Sequence, residues 1–211
     1  MDKNFVITIG RQFCSGGAEI GHKVAKYFDI PYYDKEIIDE AAGLLKMSAE
    51  DVKKHDEKPP RLWDYPGYQY ANYWYSDDPS LMLPISIRIA EAQFSVIGNF
   101  ADKGNCVIMG RCADFVLSDR PETVSVFIKA DMSKRIERAV RLYNISPEEA
   151  KKLIKKTDKI RADYYDSHTS QVWGKADYYD LVIDSGKFGT DLAARLICEC
   201  IEKKSGEKPN L

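Results

Sequence analysis

The opening segment constrains the fold most. "FVITIG", residues 5–10, is a short β-branched apolar run ending on glycine. "RQFCSGG" then separates it from "AEIGHKVAKYF", where Ala18, Ile20, Val24, Ala25, Tyr27 and Phe28 recur at broadly helical spacing. A short apolar run bounded by glycine reads as a buried strand, and the periodic segment after it as a helix. A strand that passes through a glycine turn into a helix is the first unit of a parallel sheet, because parallel strands need crossover connections.

The alternation continues. "IPYY" is extended, with a possible short strand, and the chain becomes helical near Lys35, with Asp34 placed to cap that helix. Ser48 with Asp51 three residues on opens another short helix. "LPISIRIAEAQFSVIGNFADKG" reads as a long amphipathic helix ending at Gly104, and "NCVIMG" and "TVSVFIKA" as buried strands. "SKRIERAVRLYN" is helical, as is "SPEEAKKLIKKTDKIRADYYDSH", which starts with Ser146, Pro147 and Glu149. "YDLVIDSG" is a last strand and "GTDLAARLICECIEKK" a closing helix. The pattern predicts an α/β fold with helices on both faces of a parallel sheet. At 211 residues and 44% hydrophobic content, one domain is expected.

A formal net charge of -2 excludes a whole-surface attraction to a nucleic acid polymer or an anionic membrane, so any anion must be met by a local cluster. No apolar run approaches the ~18 residues of a membrane span. Cys14, Cys106, Cys112, Cys198 and Cys200 lack CxxC spacing, which predicts a reduced, cytoplasmic setting. His22, His55 and His168 lack metal-ligand spacing. Residues 58–80 gather Trp63, Tyr65, Tyr68, Tyr70, Tyr73, Trp74 and Tyr75 with only Arg61 interleaved. That composition predicts an aromatic mini-core of an inserted arm, or a dimer contact, in preference to base stacking.

In open α/β sheets ligands sit beyond the carboxyl ends of the strands. After the first strand, the turn through Phe13, Cys14, Ser15, Gly16 and Gly17 into Ala18, Glu19 and Ile20 can aim successive N–H groups and a helix N-terminus at an anion. The phosphate-loop pattern Gly-x-x-x-x-Gly-Lys-Ser/Thr is not met, because Ala18 stands at the lysine position and Glu19 at the magnesium-binding hydroxyl position. Arg111, after "NCVIMG", can grip a phosphate or pair with a carboxylate. Asp34 can bind a second substrate or cap its helix. Arg135, Arg138 and Arg141 recur at three-residue spacing and can line a cleft as a cover over phosphates.

Taken together, "ITIGRQFCSGGAEIG", "IPYYDKEII", the "DEK" at 56–58, "VIMGRCADFVL", "FIKADMSKRIERAVRLYNIS", "KKTDKIRADYY" and "YDLVIDSG" resemble the cytidylate kinase-like family of P-loop phosphotransferases over roughly residues 4–200. The resemblance implies a three-layer P-loop NTPase fold with a parallel five-stranded sheet. It divides the single domain (1–205) into a core (1–33, 82–145 and 178–203), an acceptor-binding arm (34–81) and a lid region (146–177). It implies ATP and Mg2+ as cofactors, with the ATP phosphates on Phe13 to Ile20 and an acceptor on Asp34 and Arg111. It also implies that Ser185, Gly186 and Lys187 border adenine, and that Arg135, Arg138, Asp158 and Arg161 act in transfer. Glu19 is the candidate at the metal, and Arg11 or Lys23 can replace the missing lysine.

The chain departs from true cytidylate kinases at Ala18 and at Cys112, where they carry lysine and aspartate. The expected activity is transfer of the ATP γ-phosphoryl to a nucleoside monophosphate or other small acceptor. The alternatives are a nucleotide- or anion-binding protein without transfer, or a kinase for a non-nucleotide metabolite. The small molecules would be the partners, with a monomer or a homodimer through residues 59–80.

Overall fold

A computed structural model describes residues 4–60 and 83–205. The aromatic segment expected to form an arm or dimer contact lies almost wholly outside these residues. The described chain runs β1 (Val6–Arg11), α1 (Gly17–Phe28), β2 (Tyr32–Tyr33), α2 (Lys35–Leu45) and α3 (Ala49–His55). It continues α4 (Ile85–Asp102), β3 (Cys106–Met109), α5 (Ala113–Val116), β4 (Thr123–Lys129), α6 (Met132–Tyr143) and α7 (Pro147–His168). A 3-10 turn at Ala176–Tyr178, β5 (Leu181–Asp184) and α8 (Ser185–Ser205) complete it.

The five-stranded sheet has the order β2-β3-β1-β4-β5 and its strand pairs are parallel. Side chains alternate across it, as strand geometry requires. Ile7 and Ile9 of β1, Val107 and Met109 of β3 and Val126 of β4 face one core, shared with Ile20 and Val24 of α1 and Ala193 and Ile197 of α8. Val6, Cys106 and Ile108 face the other, with Ile37 of α2 and Ile97 and Phe100 of α4. Ile7, Ile9, Ile20, Ile97 and Ile197 are fully buried, each contributing about 1.5–3 kcal/mol in transfer free energy. The expected three layers are present.

The chain leaves β1 for β2 and β3 on one side and then crosses from β3 to β4 on the other, so the crevice at the carboxyl end of β1 is the topological switch point of the sheet. The helical pair α6–α7 covers that end. Ala139, Ala150 and Ile154 pack together, with Phe13 and Cys14 of the loop after β1 against them. Ser146 caps α7 with the expected reciprocal box, its Oγ accepting from the Glu149 N–H at 3.2 Å while Glu149 accepts from the Ser146 N–H at 2.9 Å.

Two local expectations are corrected. Asp34 stands at the N-terminal boundary of α2 but makes no side-chain cap; its carboxylate is drawn to Arg111 instead. Residues 185–188, placed by the sequence before the closing helix, already form a helical turn, and the backbone leaves helical geometry only at Gly189, φ 73° and ψ 168°. Asp184 makes the early start possible, its Oδ1 accepting from the N–H groups of Gly186 at 3.0 Å and Lys187 at 3.3 Å. Among the described residues no helix is long and apolar enough to cross a membrane.

Candidate functional site

The loop after β1 is pinned at both ends. Gln12 donates its N–H to the Ile128 carbonyl at 3.0 Å, and its Oε1 accepts from the Ala130 N–H at 3.1 Å. Ser15 donates its N–H and its hydroxyl to the Gln12 carbonyl. Cys14 (φ 60°) and Gly16 (φ 86°) take left-handed conformations, which curl the chain into α1. The first i→i−4 bond of α1 runs from Ile20 N–H to Gly16 O at 3.0 Å, so the amides of Gly17, Ala18 and Glu19 precede the helical ladder. The expected cradle contracts accordingly: the Ile20 amide is committed and its side chain is fully buried in the core, so Ile20 offers nothing to an anion.

A cavity of about 300 Å³ opens beside this loop, lined by Cys14, Ser15, Lys134, Arg138, Ser185 and Thr190 among others. Arg141, Gly186 and Gly189 also border it, whereas the Lys187 side chain is exposed and stands outside. Ser185 is buried and its hydroxyl donates to the Lys129 carbonyl at 3.0 Å and to that of Ser15, tying the start of α8 to the loop. The cationic wall comes from α6. Its Arg135 and Arg138 have different partners: Arg135, 7% exposed, pairs with Asp158, and Arg138 pairs with Glu19. Asp158, on α7, also accepts from the Phe13 N–H at 2.8 Å, so Arg135 and Asp158 hold the loop from above. Burial pushes the Cys14 thiol up, against the lowering influence of Arg138, Arg135 and Arg161.

Glu19 gathers Lys23 Nζ at 2.7 Å, the Thr190 hydroxyl at 2.6 Å and the Arg138 guanidinium. The bond from Lys23, then that from Thr190, hold its carboxyl at about 2. Lys23 also donates to Asp191 at 2.6 Å and Thr190 at 2.8 Å, so its ammonium is spent on this side of α1. Ala18 is exposed. Among the described residues no group of three or more His, Cys, Asp and Glu side chains is placed to hold a metal ion.

On the other side of the loop lies a second cluster. Arg111, 4% exposed, donates to Asp56 at 3.0 and 2.9 Å, to Asp34 at 2.8 Å and to the Met109 carbonyl at 3.3 Å. Glu57 bridges Arg11 at 2.9 Å and Arg161 at 3.1 Å, and Arg161 donates to the Arg11 carbonyl at 3.2 Å. Burial opposes ionisation of Glu57, but Arg11, Arg161 and Arg111 outweigh it and hold the carboxyl well below the usual range. Arg161 is lowered, by burial first and by the charge of Arg11 second. The space left is about 20 Å³, walled by Gly10, Gly110, Cys112, Asp114, Tyr164 and Trp173 among others. Gly110 (φ 70°) takes the left-handed conformation that favours glycine, and a methyl group on it would also push aside the Arg11 guanidinium, 2.0 Å away.

The structure thus assembles Arg11, Asp34, Arg111 and Arg161 in one cluster and Cys14, Ser15, Arg138, Ser185 and Gly186 around one cavity, with Gly16 and Glu19 against Arg138 beside it. Sequence reasoning gave no role to Asp56 and Glu57 beyond quoting their tripeptide, and it missed Thr190. The excess of buried arginine on the strand ends was the signal that carboxylates had to converge there, since an unpaired buried guanidinium is costly.

The chain has relatives of known fold and sequence. A crystal structure of an uncharacterized protein from Eubacterium ventriosum superposes with a TM-score of 0.69 at 30% identity, covering 94% of this chain and 98% of that one. A shikimate kinase from Bacteroides thetaiotaomicron shares the fold at TM-score 0.55 and 12% identity, over 95% of this chain and 99% of its own. A cytidylate kinase from Methanopyrus kandleri is 25% identical over 199 residues, which is 88% of this chain and 87% of that protein. The profile of the cytidylate kinase-like family matches residues 6–187, from β1 to the first turn of α8, and with the loop, the strand order and the arginine clusters in place over that span, the chain belongs to this family.

Proposed function

We propose that the protein is an ATP-dependent phosphotransferase that binds ATP in the cavity between the β1–α1 loop, α6 and the start of α8, and passes the γ-phosphoryl to a small acceptor. The observation that carries this reading is the pairing of that cavity, edged by Cys14 and Ser15 of the loop and by Lys134, Arg138 and Arg141 with Glu137 among them, with the Arg11–Arg111–Arg161 cluster across the same loop. Family membership and the cytidylate kinase name of the archaeal relative support it.

Ser185 and Gly186 would border the base, and the amides from Gly16 to Glu19 with Arg138 the phosphates. The acceptor would enter beside Asp34 and Arg111, with residues 34–81 as its arm and 146–177 as the lid. The acceptor is a nucleoside monophosphate or another small molecule carrying a phosphate or hydroxyl. Catalysis would rest on placement and charge: the cluster aligns the attacking oxygen, the α6–α7 pair excludes water, and the guanidinium groups meet charge as it develops.

The residues at the loop fit a nucleotide better than a protein-held Mg2+. Glu19, the expected ligand, is already occupied by Lys23, Thr190 and Arg138, so no step is assigned to the ion. A second reading, a nucleotide-binding protein without transfer, is favoured by one observation: Arg111 is already satisfied by Asp34 and Asp56. An ADP-release assay across nucleoside monophosphates and a wider metabolite panel, beside an ATP-binding titration, separates them. Turnover with any acceptor supports the kinase, and binding without turnover supports the second reading. Absence of ATP binding refutes both.

A further inference from the structure

The loop lacks the lysine that would neutralise β- and γ-phosphates, and several cations stand near enough to ask which replaces it. Arg11 runs past Gly17, where a methyl group would meet its Cβ at 2.6 Å, but its guanidinium ends at Gly110 and Glu57, on the acceptor side. Lys23 is fixed by Glu19, Thr190 and Asp191. Arg135 is turned onto Asp158. Arg138 alone among these four lines the cavity and also lies on the loop: a methyl group on Gly16 would stand 3.2 Å from its Nη1 and 3.3 Å from its Cζ.

Arg138 comes from α6, a different element, and needs something to hold it across the cavity. Glu19 does that from the first turn of α1, one residue after the position where the lysine belongs. Thr190 and Lys23 in turn fix Glu19. The two departures from the phosphate-loop pattern then become one device. Ala18 carries no charge, and Glu19, in place of a hydroxyl residue, imports a guanidinium.

We infer that Glu19 is a positioning residue that holds Arg138 over Gly16, where the guanidinium supplies the polyphosphate-binding charge missing at position 18. The inference rests on the proposal that a nucleotide's phosphates enter this cavity. Arg138 has Glu19 as its one ion-pair partner among the described residues, and Glu19 and Asp191 share Lys23, so the charge offered to an incoming anion is that of Arg138 with Lys134 and Arg141 on the same cavity wall, against Glu137.

Calorimetric titration of the full chain with ATP, AMP and inorganic tripolyphosphate tests it. Arg138→Gln should weaken ATP and tripolyphosphate binding by about tenfold or more while AMP binding moves by less than about threefold, the size expected for charge-assisted bonds to the distal phosphates. Glu19→Gln, which keeps the side-chain volume but loosens the hold on Arg138, should lose a smaller factor with the same selectivity, and Arg138→Lys should recover part of the loss seen in Arg138→Gln. Melting temperatures of the three variants confirm folding, and any one that folds decides the matter. Equal loss for AMP and ATP, or an unchanged ATP preference in Arg138→Gln, overturns the inference. A wild-type chain that binds tripolyphosphate but not ATP removes the nucleotide reading and leaves this test intact; binding of neither overturns both.

Discussion

Replacing Arg111 with methionine separates a structural clamp from a pure acceptor ligand. The guanidinium is 4% exposed and satisfies Asp34 and Asp56 together, from the start of α2 and the end of α3. Methionine fills the volume without a donor, so Asp34 loses its guanidinium partner and Asp56 keeps only the Gln93 amide, at 2.8 Å. Removing one member of a buried ion pair costs about 3–5 kcal/mol. Asp56 is 16% and Asp34 31% exposed, so water recovers part of the loss and the lower end, about 3 kcal/mol, applies. In a chain of this size about 2–4 °C accompanies each kcal/mol, so the melting temperature should fall by about 6–12 °C.

Scanning calorimetry of the wild type, Arg111→Met, Asp56→Asn and the double variant measures this. The double variant should be less destabilised than the sum of the singles by about 1–3 kcal/mol, because the second change removes a carboxylate the first one stranded. A fall below about 2 °C in Arg111→Met, or strict additivity, refutes the reasoning and returns Arg111 to the acceptor alone.

Other consequences are sharper than they are large. Gly16→Ala forces a left-handed alanine, at a cost of about 1–2 kcal/mol, and its methyl meets Thr190 at 2.9 Å and the Arg138 guanidinium; urea titration should show the stability loss and tripolyphosphate titration a weakened loop. Ser146→Ala removes the hydroxyl that caps α7 and should cost about 1 kcal/mol by thermal melting, while the Glu149 carboxylate keeps its bond from the backbone N–H of residue 146. Glu19 titrates at about 2 against an ordinary 4.5 because Lys23 and Thr190, then Arg138, favour the carboxylate. A depressed carboxyl stabilises above its unfolded value and loses that contribution as pH falls. The stability gap between wild type and Glu19→Gln should therefore stay constant from about pH 6 to about pH 8 and close between about pH 4.5 and about pH 2. A gap that changes across neutral pH and not in acid would contradict the assignment.

Most of the architecture was legible because it rests on local patterns. β1 is a β-branched run stopped by glycine, α1 repeats its apolar residues along one face, and α7 announces its start through Ser146, Pro147 and Glu149. Where expectations failed, a distant partner outbid a local one. Asp34 had the right position to cap α2, yet the buried charge of Arg111, 77 residues away, is a stronger partner than a backbone amide. The early helical turn at Ser185–Phe188 has a local cause instead, the Asp184 carboxylate accepting from the amides of Gly186 and Lys187.

By itself the sequence determined the strand–glycine–helix start, the succession of strands and helices, and the absence of a lysine at Ala18, because hydrophobic period, caps and residue identity are written along the chain. Only the tertiary structure decided which carboxylate meets which arginine. Glu19 reaches Arg138 across 119 positions and Glu57 joins Arg11 to Arg161. Such pairings are fixed by how the elements pack around the end of β1, where removing a guanidinium from water is tolerable only beside an opposite charge, and nothing in the spacing along the chain records that closeness.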